Sequence, residues 1–404
     1  MKIAVVTSTF PKNFFDNVPK FVETQVINLK TNFPNLEFYI LAPQNNSRET
    51  SLNTKYYKQI RFNYFWPKHF QKLTNNGIIN QLKQNILYYI MVPFFVFAEL
   101  FALIRLVKQE DIDFIYAHWF FPQAVNAYIV SKILKVPFSF TSHSSDLVIV
   151  DKKIPFLGKS IIRKVCMSAK SISTPSEKIM SLIKKYFSDE EFKKIDHHVI
   201  PMGINSNNIS LDTKKNNDKS VFEILFVGRF SEKKGVDVLI ESINFLLQKS
   251  ISKKIKLKLA GEGEEEKRYK HIIKKFDLDN VVQFVGYLNE KDKYKAIQAA
   301  DLIVVPSIES STGDIEGLPV VVLEGLYCQT AVLASEYTNA NEIIEDSING
   351  FIVKNINPYD LAKKLFEIIN LDPKIIQEII NEGSSTVKEF SSRKNSENFY
   401  KFLI

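Results

Sequence analysis

The 404-residue sequence predicts an α/β protein built from two doubly wound domains. Three observations carry that prediction. Short β-rich runs alternate with helical patterns through the first half; a polar, Asn-rich stretch with no apolar period then breaks the alternation; and the alternation restarts beyond it. With 45% apolar residues, the chain is long enough for two domains of roughly 200 residues, each able to bury its own core.

The first half offers strands at "KIAVVTS" (2–8), "LEFYILA" (36–42), "QIRFNYF" (59–65), "DFIYAH" (113–118), "PFSFTSH" (137–143), "SISTPS" (171–176) and "HHVIPMG" (197–203). The polar stretch "INSNNISLDTKKNNDKS" (204–220) reads as a linker. The second set follows at "FEILFVG" (222–228), "KLKLAGEG" (256–263), "VVQFVG" (281–286), "LIVVPS" (302–307) and "AVLASE" (331–336), each with a plausible helix after it. The expected organisation is therefore a first domain over 1–204, a linker over 205–220 and a second domain over 221–387, with a C-terminal helix at about 388–404 packing back on the first domain. Parallel sheets of this kind bind ligands beyond the carboxyl ends of their strands, so two of them facing each other make the crevice between them the default site.

Composition narrows the function classes. Only two cysteines occur, Cys166 and Cys328, with no CxxC spacing, which points to buried thiols in a reducing cytoplasm rather than to disulfides or zinc. The N-terminal apolar run is too short for a signal-peptide core and reads as a first strand. Residues 1–200 carry 26 Lys+Arg against 15 Asp+Glu, whereas 201–404 carry 27 against 30. The basic half should face something anionic, a membrane surface or a phosphate-bearing lipid, and no RNA- or DNA-reading motif accompanies it. "NILYYIMVPFFVFAELFALIRLV" (85–107) approaches the length of a membrane span, yet Pro93 and Glu99 interrupt it and Lys83 and Arg105 flank it. A buried or membrane-leaning helix is the favoured reading, with a true span as the alternative.

Three stretches carry chemistry. In "VGRFSEKKG" (227–235), Arg229 and Lys234 sit in a strand-to-helix loop, where a guanidinium fork and an ammonium can converge on an anion; solvated loop cations are the bland alternative. "GEGEEE" (261–266) lacks GxGxxG and would repel a pyrophosphate, so it reads as a turn and helix start. "GDIEGLPVVVLEG" (313–325) holds Glu316 and Glu324 around a Pro-led apolar run that contains no Lys or Arg. Pro319 suits a first helical position, giving a helix from Pro319 to about Cys328 with Glu316 in the loop before it and Glu324 inside it. A carboxylate accepts from paired sugar hydroxyls, and the backbone N–H groups of Gly317 and Leu318, near a positive helix end, can meet phosphate oxygens. Dipole stabilisation alone would account for Glu316 but not for an acid in the middle of an apolar run.

In combination, "VGRFSEKKG", "LAGEGEEE", "FVGYL", "ADLIVVPS" and "EGLPVVVLE" resemble the retaining nucleotide-sugar glycosyltransferases of the GT-B fold, family 4. The resemblance covers essentially the whole chain and is most specific over 222–354; the variant "SSTGDIEGLPVVVLEG" is similar to enzymes building bacterial exopolysaccharide, capsule or lipopolysaccharide. It implies two Rossmann-like domains facing across a cleft, Arg229 and Lys234 on the diphosphate, Glu316 near the donor sugar and Glu324 on the ribose hydroxyls. It also implies that no cofactor or metal is needed, the cations neutralising the leaving group. In "YAHWFFPQAVNAYIVSKILKVPFSFTSHSSDL", the resemblance puts His143 in the position of the family's active-site histidine, with Asp146 following at the usual spacing, and His118 and Asp146 are expected on the acceptor side. The family commonly has a glycine-rich loop after the first strand, and "TSTFPKNFFDNVPKFVETQ" has no glycine.

The expected activity is transfer of a sugar from a UDP-, GDP- or other nucleotide-sugar donor to a glycan acceptor in surface polysaccharide synthesis (EC 2.4). Arg229, Lys234, Glu316 and His143 are the catalytic set; Gly317, Leu318 and Glu324 complete donor binding. The basic first domain and the apolar 85–107 segment point to a lipid-linked acceptor, and to a cytoplasmic protein peripheral on the inner face of the membrane. The alternatives are a sugar-nucleotide 2-epimerase of the same fold, or a non-catalytic sugar-nucleotide-binding subunit of a polysaccharide assembly.

Overall fold

The structure, a computed structural model, describes residues 1–12, 20–44, 51–74, 78, 81–82, 85–143, 146–153, 157–204, 220–311 and 313–404. Most of the glycine-free loop (13–19) and the expected linker (205–219) lie outside the described residues. The chain divides into two compact units, Met1–Pro201 with Arg393–Ile404, and Met202–Ser392.

In unit 1 the strands are β1 (Lys2–Val6), β2 (Glu37–Pro43), β3 (Ser51–Asn53), β4 (Lys58–Phe62), β5 (Phe114–His118), β6 (Phe138–Thr141), β7 (Ile172–Thr174) and β8 (His197–Val199), in the order β3-β4-β2-β1-β5-β6-β7-β8. All neighbours run parallel except β3 against β4. β1 reads as an unbroken apolar run because helices cover both its faces, and its Val5 pairs Ile40 on one side and Tyr116 on the other. Chain order reverses between β1 and β5, so the switch point of this sheet lies where β5 ends at His118.

The apolar 85–107 segment forms the helix Tyr88–Glu110, with Pro93 accommodated inside it. Met91, Phe95, Glu99, Leu103, Leu106 and Val107 make its buried face. Glu99 accepts hydrogen bonds from Gln123 Nε2 and Asn126 Nδ2, each at 2.9 Å. Burial raises its carboxyl to about 7, the two amides pulling partly the other way. The C-terminal helix Ser392–Leu403 lies on the same unit: Ser171 Oγ donates to the Phe402 carbonyl at 2.7 Å, and Phe33 stacks on Tyr400 at 4.0 Å.

Unit 2 holds β9 (Val221–Val227), β10 (Lys254–Ala260), β11 (Val282–Gly286), β12 (Leu302–Val305), β13 (Ala331–Ser335) and β14 (Phe351–Val353). Their order is β11-β10-β9-β12-β13-β14, all parallel. Alternate residues serve two cores: Ile224 and Phe226 of β9 join one apolar cluster while Leu225 joins the other, and β12 divides the same way. β12 and β13, buried on both faces, show apolar runs, and β9 departs from one only at Glu223, whereas β10 (KIKLKLA) alternates lysines with buried Ile and Leu. The order reverses between β9 and β12, which sets the loops after those two strands side by side. Cys166 and Cys328 are both buried free thiols.

Candidate active site

The loop after β9 turns sharply before the helix Val236–Leu247, and two glycines let it do so. Gly235 has φ 61°, and a Cβ there would lie 2.0 Å from the Pro306 carbonyl oxygen at the end of β12. Gly261, φ 143°, would place one 1.9 Å from the Gly228 carbonyl oxygen. Only glycine permits these approaches, and they draw the loops after β9, β10 and β12 together.

Side chains then stitch the loops. Ser311 donates its N–H and hydroxyl to the two carboxylate oxygens of Glu232, at 2.8 and 3.0 Å. Ile308 N–H donates to the Lys233 carbonyl at 2.9 Å. Lys233 Nζ lies 2.9 Å from Asp314 Oδ2 and 3.6 Å from Glu316 Oε1, and Lys234 Nζ lies 3.1 Å from the same Glu316 oxygen. Burial raises the Glu316 carboxyl, but Lys233 and Lys234 outweigh it and hold the group at about 2. Burial likewise lowers the Lys233 ammonium, and Glu316 and Asp314 more than reverse that. The Oε1 atom of Glu316 is thus buried with two ammonium groups in range.

Arg229 shares this loop, and its Nη2 donates to Glu264 Oε2 at 2.8 Å. The acidic run after β10 thus orients Arg229 as well as leading into the helix Glu266–Lys275. Glu324, 5% exposed, sits in the helix Val320–Tyr327. Its Oε1 receives Lys293 Nζ at 2.5 Å and Tyr294 Oη at 3.3 Å from the helix Glu290–Ala299, whose first turn Asn289 caps by accepting from Asp292 N–H.

One expectation needs correction. The helix begins at Val320, not Pro319, because Pro319 is extended (ψ 126°) and serves as the N-cap. Gly317 and Leu318 consequently precede the first turn, and the helix-start N–H groups belong to Val320 and its successors. What fixes the approach is Asn339, in the left-handed conformation at φ 57°, whose Nδ2 donates to the carbonyls of Glu316 and Gly317, both at 2.6 Å.

In unit 1, His118 ends β5 and His143 follows β6 by two residues. His118 Nδ1 and His143 Nε2 share one proton across 2.8 Å, and the rings stack within 7° of parallel. Burial lowers His143 to about 3; burial, then the neighbouring His143, lowers His118 well below the ordinary histidine range. The pair is neutral at pH 7. Phe21 meets His143 edge-on at 5.0 Å, and Trp119, with φ 73°, lies 5.0 Å away on another side. His118 is fully buried, so it backs His143 rather than lining an acceptor surface. Asp146 likewise turns inward: Oδ2 accepts from Phe120 N–H at 2.5 Å and Oδ1 accepts from the Ser142 hydroxyl, bracing the turns after β5 and β6.

Two family models fit the chain almost end to end: Glycosyltransferase Family 4 over residues 22–208, and Glycosyl transferases group 1 over 208–385. The chain is a GT-B glycosyltransferase.

Relatives agree with that assignment. A GalNAc-α-(1→4)-GalNAc-α-(1→3)-diNAcBac-PP-undecaprenol α-1,4-N-acetyl-D-galactosaminyltransferase of Campylobacter jejuni is 26% identical over 83% of the chain and 86% of its own length. An uncharacterized glycosyltransferase of Methanocaldococcus jannaschii is 28% identical over 72% of the chain and 74% of its own. The amylovoran biosynthesis glycosyltransferase AmsK of Erwinia amylovora matches at 27% over 48% of the chain and half of its own length. Among solved structures, sucrose-phosphate synthase from Thermosynechococcus elongatus superposes with TM-score 0.73 at 16% identity, covering 99% and 97% of the two chains. Anabaena HepE in complex with UDP-glucose gives 0.68 at 15% identity, covering 100% and 99%.

For this GT-B glycosyltransferase the structure joins Lys234 to Glu316 and sets Arg229 in the same loop. Glu324 stands deeper, with a counter-ion of its own. Sequence reasoning missed Lys233, Asp314, Glu264, Lys293 and Asn339. The "EKK" run shows two lysines without showing that a short turn (Glu232–Lys234) brings both onto one carboxylate. Lys293 offered no signal beyond its place in a charged helix.

Proposed function

We propose that this glycosyltransferase moves a sugar from a nucleoside diphosphate donor to a hydroxyl of a lipid-linked glycan in bacterial surface polysaccharide synthesis, with retention of anomeric configuration and without a metal. The observation that carries the reading is the paired arrangement of Lys233 and Lys234 on Glu316 at the β9/β12 switch point. Such a site holds positive charge for a diphosphate and a carboxylate for a sugar in one place.

As the bond from the anomeric carbon to the diphosphate lengthens, negative charge grows on the leaving oxygen. Arg229 and Lys234, already oriented by Glu264 and Glu316, stabilise it without reorganising. Glu316 accepts from sugar hydroxyls, and Glu324, paired with Lys293, accepts from the ribose diol through two oxygens. His143, neutral and wedged among rings, cannot act as a cationic acid at pH 7; it hydrogen-bonds a sugar hydroxyl and shapes the pocket wall. The acceptor oxygen bonds to the anomeric carbon on the face from which the diphosphate leaves, giving retention, and the departing phosphate takes the acceptor's proton. The lipid-linked acceptor of the Campylobacter relative, and the UDP and UDP-glucose in the HepE complexes, support the choice of substrates. A lipid-linked acceptor places the work at the inner face of the membrane.

The test is incubation of UDP-, GDP-, ADP- and dTDP-sugars with a polyprenyl diphosphate-linked glycan in the presence of EDTA. The expected product carries the donor's anomeric configuration by NMR. An inverted linkage would defeat retention, loss of activity with EDTA would defeat metal independence, and a donor altered at C2 with no acceptor present would favour the epimerase.

A further inference from the structure

The helix Tyr88–Glu110 has a second face that the fold leaves uncovered. Ile86, Ile90, Phe94, Phe97 and Phe101 succeed one another at spacings of three or four residues, each more than half exposed, and so form one stripe. At 1.5 Å per residue it runs about 22 Å. Phe65 meets Phe94 edge-on at 5.5 Å, which sets the 65–72 segment beside the stripe, and there Trp66 is 82% and Phe70 48% exposed. Isolated apolar residues on a surface are ordinary, whereas a contiguous band of large rings marks a contact surface.

Among the described residues 65–108 the exposed charges have one sign, Asp111 and Asp113 being exposed just past the helix end. Lys68 and Lys72 are exposed at one end; Arg105 and Lys108 continue the stripe's own spacing at the other. Between residues 65 and 108 the sequence contains a single acid, Glu99, and that side chain is buried on the opposite face against Gln123 and Asn126. The helix cannot cross a bilayer without giving up those two hydrogen bonds and the packing of Phe95, Leu103 and Leu106.

We propose that this face docks the protein on an anionic lipid bilayer, with the Tyr88–Glu110 helix lying in the plane of the interface, its aromatic stripe among the acyl-chain ends of the headgroups and its end cations on lipid phosphates. A ring-rich stripe closed at both ends by cations, with the one acid of residues 65–108 buried on the opposite face, complements such a surface in both polarity and charge. This docking deepens the reading of a lipid-linked acceptor by naming how the enzyme reaches the membrane, and it can fail independently of that reading because its test involves no sugar.

The chain has two tryptophans, so a Trp119→Phe background leaves Trp66 as sole reporter. Full-length protein is titrated with vesicles of phosphatidylcholine alone, or with about a third phosphatidylglycerol, some carrying brominated acyl chains. The expected result is a blue-shifted, bromine-quenched Trp66 emission on the anionic vesicles, weakened about tenfold or more by roughly 0.5 M salt. The combined Phe94→Ser, Phe97→Ser and Phe101→Ser variant should partition at least about tenfold less while melting as the parent does, since these side chains are exposed. Absence of quenching with folded protein would overturn the proposal. Equal, salt-independent binding to neutral vesicles would overturn its anionic component. A dimer seen by light scattering that the triple variant dissolves, with no vesicle binding, would assign the face to a second copy instead.

Discussion

At the β9/β12 switch a carboxylate is sunk against two ammonium groups, whereas at the end of β5 two imidazoles lie stacked with no charge between them. Both are buried polar arrangements, but they respond differently to a ligand. Ion pairs such as Lys234–Glu316 and Lys293–Glu324 can exchange an internal partner for a ligand's charge or hydroxyl at little cost. The histidine stack has no charge to exchange; it offers a fixed shape and a single hydrogen-bonding edge. On the proposed reading, unit 2 handles charge and unit 1 supplies shape.

The largest expected effect tests the charged side. Arg229→Ala should lower turnover by about a hundredfold or more, as loss of an oxyanion stabiliser does, with steady-state kinetics as the readout. Near-wild-type turnover would remove the distinction between the two sides.

A sharper test is Glu316→Gln. Lys234 would lose its carboxylate and Lys233 would keep only Asp314, so affinity for inorganic diphosphate should rise several-fold while sugar transfer falls by about tenfold or more. Calorimetry and turnover together check it; a parallel loss of both would mean that Glu316 acts only as a brace.

The neutral side is tested by pH. His118 and His143 stay unprotonated in the native state below the usual 6.5, while the unfolded chain takes up protons there. At these two sites the unfolded state then binds more protons, so their contribution to stability falls as pH drops from about 6.5 toward about 3, while Glu99, raised to about 7, adds an opposing gain between about 7 and 4.5. The slope approaches about 1.4 kcal/mol per pH unit for each histidine. Because Glu99 contributes equally to both proteins, the urea midpoint on going from pH 7.5 to 5.5 should fall more, or rise less, for the parent than for His143→Asn. Glu316, held low, adds a loss in the same direction only below about 4.5, outside that window.

Much of this was legible in the sequence because buried parallel strands are apolar runs. β9, β12 and β13 announced themselves that way, β10 by its alternation of Lys with Ile and Leu, and restart of the pattern after the polar stretch revealed a second sheet. β3, three residues of "SLN" on an antiparallel edge, and β14, three residues of "FIV", are too short to carry a period. Glu316 and Glu324 were visible because acids are out of place around an apolar helix. Their counter-ions were not: Lys233 and Lys293 look like any surface lysine until a short turn in one case, and an Asn289-capped helix in the other, aim them inward. Asp146 was placed on the acceptor side because its spacing from His143 is visible in the chain, while the N–H of Phe120 that occupies it is not.

The most direct test of the central claim is a thermal-shift titration with UDP-, GDP-, ADP- and dTDP-sugars on the wild type and on Glu324→Ala. A ligand bound only by the native state raises its melting point, by about 2.7 kcal/mol of added stability at a hundred times Kd. The account predicts that one nucleotide class shifts the wild type clearly and the variant barely. A panel that shifts neither protein, or shifts both equally, would contradict it.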